Sequence, residues 1–152
     1  MAGIEISPIT GGPKVNELYQ TSKSHIFAAG NVVLVYDLAD WVSQEGYNAG
    51  KNAARYAKGH LSPKGRAIPL RGTSQIRLFS PQEVTGTEDC VIYFRVKEPI
   101  EKLCRISASS GLYEKKERYA RPGEMNEIPL KADDIRALGE DVSEIIIQVE
   151  EV

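Results

Sequence analysis

The stretch Cys90-Val91-Ile92-Tyr93-Phe94-Arg95-Val96 sets Cys, Ile, Phe and Val at every second position. Alternate side chains of a strand point to opposite faces, so this spacing predicts a strand with one strongly buried face. Working outward, Leu103 to Ala108 is a second strand, and Ser109-Ser110-Gly111 turns the chain into Leu112 to Tyr119. Pro122-Gly123 is another turn signal, followed by the apolar Met125, Ile128 and Leu130. Ile145-Ile146-Ile147-Gln148-Val149 closes the series and Ile76-Arg77-Leu78-Phe79 opens it. Six or seven short strands in about 80 residues form the pattern of an antiparallel β-sandwich over residues 74–152. Its shape is immunoglobulin-like, although the Cys and Trp spacing of an antibody domain is absent. Cys90 and Cys104 fall within such alternating runs and read as buried small hydrophobes. They form no Cys-x-x-Cys pair, which removes a redox dithiol and a zinc site of the usual spacing.

Upstream the texture changes. Gly59-His60-Leu61-Ser62-Pro63-Lys64-Gly65 reads as a helix stop and linker, placed at residues 61–73. Before it, Gly3-Ile4-Glu5-Ile6 is a short strand candidate and Gly11-Gly12-Pro13 a turn. His25-Ile26-Phe27-Ala28-Ala29-Gly30 is a compact apolar run ending in Gly, the signature of a buried parallel strand. Asp37 or Asp40 is positioned to cap a helix that continues to about Ala57. Val42, Gly46, Ala49, Gly50, Ala53 and Ala57 recur at helical spacing in it. Each interior Gly costs about 1 kcal/mol relative to Ala, so a face this small implies close approach to a sheet or a ligand.

Composition narrows the function classes. With 41% hydrophobic and 26% charged residues the 152-residue chain has the makeup of a globular protein with its own core. Net charge is −2, and the cluster Lys115, Lys116, Arg118 and Arg121 is interrupted by Glu114 and Glu117. That is a solvated strand face, and no basic stripe argues for nucleic acid. No apolar run approaches the ~20 residues of a membrane span, and Met1 is not followed by a secretion signal, so the expected compartment is the cytoplasm. His25 and His60 have no carboxylate or Cys at ligand spacing, and Ser43 has no base nearby in sequence. Neither a hydrolytic centre nor a metal site is expected.

Thr21-Ser22-Lys23-Ser24-His25-Ile26-Phe27-Ala28-Ala29-Gly30-Asn31 resembles the second FAD fingerprint of the pyridine nucleotide-disulphide oxidoreductase superfamily. That fingerprint is a Thr, a short spacer, an apolar strand and then Gly-Asp. The flanking strand, turn and helix match in order, so the resemblance covers roughly residues 3–60, while the β-rich remainder resembles a tail found behind some of these flavoproteins. It implies an α+β chain: a strand–helix remnant of a FAD-binding α/β domain over residues 1–60, followed by the sandwich. It also implies that Gly30, Asn31, Trp41 and Val42 contact the cofactor. Asn31 stands where the family carries an acid that accepts a hydrogen bond from the ribityl chain, and its carbonyl oxygen can accept without the charge. N–H groups at the helix start, near Trp41 and Val42, would face the pyrimidine edge of the isoalloxazine and stabilise reduced flavin.

The adenine and pyrophosphate end of FAD needs a Gly-x-Gly-x-x-Gly turn, and none exists among the thirteen Gly residues. The nicotinamide-binding portion is missing as well. The expectation is therefore a carboxy-terminal piece of a FAD-dependent oxidoreductase, not catalytic or FAD-binding alone, whose partner is the missing FAD- and NAD-binding portion. Unpaired edges of its parallel strand would make the piece dimerise, or fold its first segment back on the sandwich. The competing reading is a non-catalytic interaction module, with the sandwich as the working unit and the first segment as a docking arm. That reading requires an aromatic or charged patch, for which Tyr93, Tyr113 and Tyr119 are the candidates.

Overall fold

A computed structural model describes residues 3–152. The elements in chain order are a 3-10 turn at Gly30–Val32, α1 (Ala39–Ala57), β1 (Ile68–Gly72), β2 (Ile76–Ser80) and β3 (Glu83–Val84). They continue with β4 (Cys90–Val96), β5 (Cys104–Ala108), β6 (Tyr113–Glu117), β7 (Asn126–Leu130), α2 (Ala132–Arg136) and β8 (Ile145–Glu151). One sheet has the order β3-β1-β8-β5-β6 and the other β2-β4-β7. The chain is thus mixed α+β, mostly strands in two sheets. No described helix is long and apolar enough to cross a membrane.

The two sheets share one core. β4 contributes Ile92, Phe94 and Val96, each 0% exposed, and β8 contributes Ile145, Ile147 and Val149 from the opposite sheet. Their alternation in sequence becomes alternation in burial because each strand has one face against the other sheet. Cys104 is fully buried in the same core and Cys90 packs at its margin. Burying each Ile or Phe stabilises the fold by roughly 1.5–3 kcal/mol, which makes this core the dominant apolar term.

Two features depart from the expected sandwich. Ile68–Gly72, within the stretch read as linker, is a strand, pairing with β8 through Leu70–Ile145, Arg71–Ile146 and Gly72–Ile147. That pairing is parallel, so the larger sheet is mixed rather than purely antiparallel. The alternation of Ile68 and Leu70 with Pro69 and Arg71 is too short to stand out beside the neighbouring Pro and Gly residues.

The first segment folds back over the outer face of the β2-β4-β7 sheet. Val15, Val33, Leu34 and Tyr36 form a second small core against Trp41, Val42, Leu78 and Tyr93. Polar clasps hold the segment down. Glu17 accepts from the Thr85 and Thr87 amides at 2.9–3.0 Å and from the Thr85 hydroxyl at 2.7 Å. Gln82 donates its backbone N–H to the Val15 carbonyl at 3.0 Å and accepts the Val15 N–H on its side chain at 2.9 Å. Asp37 pairs with Arg95 and accepts the Met125 N–H.

The apolar run His25–Gly30 is not a strand, which corrects the parallel-sheet expectation. It carries one antiparallel bridge, Phe27 with Gln20, and Ile26 to Ala29 are only half-buried. A strand exists only where a ladder partner does, and no parallel neighbour occurs among the described residues. Gly3–Ile6 is likewise reduced to a single bridge between Ile6 and Pro13.

Candidate functional site

Gly30 and the start of α1 lie side by side. Gly30 has φ +72°, a left-handed conformation that favours Gly, and a Cβ there would meet Val42 Cγ1 at 2.9 Å. Its N–H donates to Glu45 Oε2 at 2.8 Å. Asn31 is exposed, and its Oδ1 accepts the Tyr36 N–H at 3.2 Å, which leaves a second lone pair on that oxygen. Trp41 packs edge-on to Tyr36 with ring centroids 6.4 Å apart, and lies 5.8 Å from Tyr93. The structure therefore brings Gly30, Val42 and Trp41 to one end of α1, with Asn31 on the adjoining turn.

The helix cap differs from expectation. Leu38 occupies the N-cap and no side chain caps the helix. Asp37 is held by Arg95 and Met125 instead, and Asp40 sits inside the first turn. The first-turn N–H groups of α1 are thus left without a capping side chain, beside a turn whose Asn31 faces solvent.

The small-residue face of α1 divides in two. Val42, Ala49 and Ala53 turn wholly or partly inward, whereas Gly46, Gly50 and Ala57 are exposed. With Ala39, Ser43 and Ala54 these form a continuous exposed stripe at i, i+4, i+7, i+11 spacing. A Cβ added at Gly46 or Gly50 would have no heavy atom within 4 Å. Nearby chain positions expose large apolar side chains: Val32 is 61% exposed, Val35 65% and Leu38 54%. A solvent-facing helix ordinarily shows charged residues on this side.

The opposite side of α1 borders a cleft of about 470 Å³ against the outer face of the β2-β4-β7 sheet. Trp41, Gln44, Glu45, Asn48 and Asn52 line it from the helix, Tyr93 from β4, and Asn16, Glu17 and Tyr19 from the first segment. Glu45 is buried and accepts from both Gly30 N–H and the Tyr36 hydroxyl. Burial pushes its carboxyl above the usual carboxylate range, opposed by those two hydrogen bonds. Burial and the Glu45 charge raise the Tyr36 hydroxyl far above its ordinary value, and the same two causes bring Tyr19 to about 12. Cys90 is pushed up to about 12 by burial, with Glu17 and Asp89 adding to it, so it is a protonated thiol rather than a nucleophile at neutral pH.

Sequence reasoning passed over Glu17, Tyr19, Tyr36 and Glu45. Glu45 lies among small residues on α1 and reads as an ordinary solvent-facing acid; only the return of Gly30 and Tyr36 to its side buries it. Of the tyrosines put forward as a platform, Tyr93 is half-buried, with Tyr36 edge-on at 5.3 Å and its other side on the cleft, Tyr113 packs on the main core, and Tyr119 is exposed beneath Arg121. Of the basic cluster near them, Lys115 pairs with Glu117 and Arg121 with Glu101. No family model, curated protein or solved structure matches the chain.

Proposed function

We propose that this chain supplies the second flavin-contacting turn and helix of a FAD-dependent, NAD(P)-linked oxidoreductase of the pyridine nucleotide-disulphide class. In this reading it carries an immunoglobulin-like sandwich as an appended tail and is not catalytic alone. The observation that carries the proposal is the exposed stripe Ala39, Ser43, Gly46, Gly50, Ala54 and Ala57, flanked in sequence by uncovered Val32, Val35 and Leu38. A face that gives up helix propensity at two Gly positions and leaves apolar side chains in water suits close packing against further polypeptide. That polypeptide is the remaining FAD- and nicotinamide-binding portion, and in its absence the same face is open to a second copy of this chain.

The residues fit the ribityl and ring end of FAD and not its phosphates. Asn31 has a free lone pair on an exposed side chain, and the first turn of α1 has uncapped N–H groups. The dipole of a 19-residue helix adds partial positive charge there. Bound flavin would supply hydride transfer; this chain would orient it and favour charge at its pyrimidine edge. The diphosphate lacks any Gly-x-Gly-x-x-Gly turn to receive it.

Flavin fluorescence tests the reading. FAD titrated into the chain alone is expected to stay unquenched. Adding in trans a FAD-domain half that carries the Gly-x-Gly-x-x-Gly turn should yield a flavin-retaining complex, weakened by Gly50→Leu on the exposed stripe. Stoichiometric FAD binding by the chain alone, or a mixture of halves that retains no flavin, would overturn it.

A further inference from the structure

The cleft between α1 and the β2-β4-β7 sheet has a lining of which the flavin reading uses Trp41 alone, through its backbone N–H. We propose that it binds a quaternary ammonium group, the aromatic corner of Trp41 and Tyr93 receiving the cation and the buried carboxylates Glu17 and Glu45 supplying the charge.

The volume of about 470 Å³ is in the range of small-molecule sites. Trp41 and Tyr93 lie 5.8 Å apart with their planes inclined at 45°, so the two rings make a corner rather than a stack. Tyr36 backs them from the buried side, 5.3 Å from Tyr93, which holds the corner in place without ligand. Aromatic faces attract cations through the ring quadrupole.

The charges decide the class of ligand. At the rim, Lys131 is paired with Asp89 and Arg55 with Glu88, so these four cancel. Glu17 and Glu45 are 7% and 5% exposed, and neither forms a salt bridge among the described residues. The lining therefore holds two buried carboxyls with no cationic partner among the described residues, and a bound cation would favour the ionised form of Glu45 against its burial. Both carboxylates already accept hydrogen bonds, Glu17 from Thr85 and Thr87 and Glu45 from Gly30 and Tyr36. They act on a ligand through charge more than through a direct bond. A primary ammonium would want three acceptors, whereas a quaternary one has no N–H donor and a large apolar surface, which matches rings plus carboxylates already engaged. An anion would meet like charge here, and a neutral polyol would gain nothing from the carboxylates.

Trp41 is the sole tryptophan of the chain and lines the cleft, so its fluorescence reports occupancy directly. Choline chloride is titrated against 3,3-dimethyl-1-butanol, its uncharged isostere, at constant ionic strength. The expected result is a saturable change with choline and an apparent Kd at least about tenfold weaker for the isostere, the size of one desolvated cation–π contact. Glu45→Gln should narrow the gap between the two ligands by about threefold or more, the rings and Glu17 keeping the remainder. Where that variant fails to fold, Tyr93→Leu replaces it and should weaken choline by about fivefold or more. Equal affinity for choline and the isostere, no saturable change, or choline binding indifferent to the variant tested would overturn the assignment. None of these outcomes depends on flavin, so the result stands apart from the oxidoreductase reading.

Discussion

Glu17→Ala is the sharpest test of how the first segment is held to the β unit. The carboxylate is 7% exposed and receives the Thr85 N–H, the Thr85 hydroxyl and the Thr87 N–H at 2.7–3.0 Å. After truncation the Thr85 hydroxyl can still turn to Thr87 Oγ1, 2.7 Å away, but the two backbone N–H groups are left without a partner. An unpaired buried donor costs ~1–3 kcal/mol, so the pair implies a loss of about 3 kcal/mol. Glu17→Gln keeps one carbonyl oxygen able to accept two of the three donors and should cost about 1 kcal/mol. The loss should be local before it is global. The second core has four buried members, while the main core draws on both sheets, so the first segment is the weaker unit. Urea titration followed by Trp41 fluorescence and by far-ultraviolet circular dichroism separates the two. In Glu17→Ala the fluorescence transition should move to lower urea and precede loss of the β signal. A variant within about 0.5 kcal/mol of the parent, with coincident transitions, would behave like a surface substitution and refute the clasp.

Further expectations follow from single contacts. Gly46→Ala and Gly50→Ala should each stabilise the isolated chain by about 1 kcal/mol in thermal melts, because each adds helix propensity where nothing lies within 4 Å; destabilisation would mean that the stripe is covered. Gly30→Ala should destabilise it, since the residue sits at φ +72° with Val42 in the way, and an unchanged melting temperature would contradict that geometry. Glu45 has a raised carboxyl, so the folded state holds its proton more tightly than the unfolded chain does. Its contribution is fully present below the unfolded value, near 4.5, and is lost as pH rises through the folded value. Relative to Glu45→Gln, parental stability should therefore fall as pH increases across that window, and a parallel pair of pH profiles would exclude the assignment. Cys90 and Cys104, both raised by burial, should react with iodoacetamide at pH 8 far more slowly in buffer than in denaturing urea; equal rates would show that the thiols are accessible.

Local pattern and tertiary context divide this protein along a clear line. β4, β5 and β8 were legible because alternation of apolar side chains is imposed by strand geometry, whichever strand lies alongside, and β6 followed from the turn at Ser109-Ser110-Gly111. The end of α1 at Ala57 was equally legible from Gly59, which takes φ +72° just past the helix. The burial of Cys104 followed from the same alternation. Pairing was another matter. Ile68–Gly72 is a strand because β8 and β3 flank it, and His25–Gly30 is not one because no parallel neighbour reaches it among the described residues. Hydrogen bonds between strands are long-range, so a pentapeptide cannot encode whether its partner arrives. The cleft is wholly tertiary: Glu17, Tyr36, Glu45 and Tyr93 are scattered over 76 positions of sequence and meet only when the first segment lies down on the β2-β4-β7 sheet. An acid on a helix reads as solvated until the fold supplies the donors that allow it to be buried, and here those donors come from a glycine and a tyrosine on a separate turn.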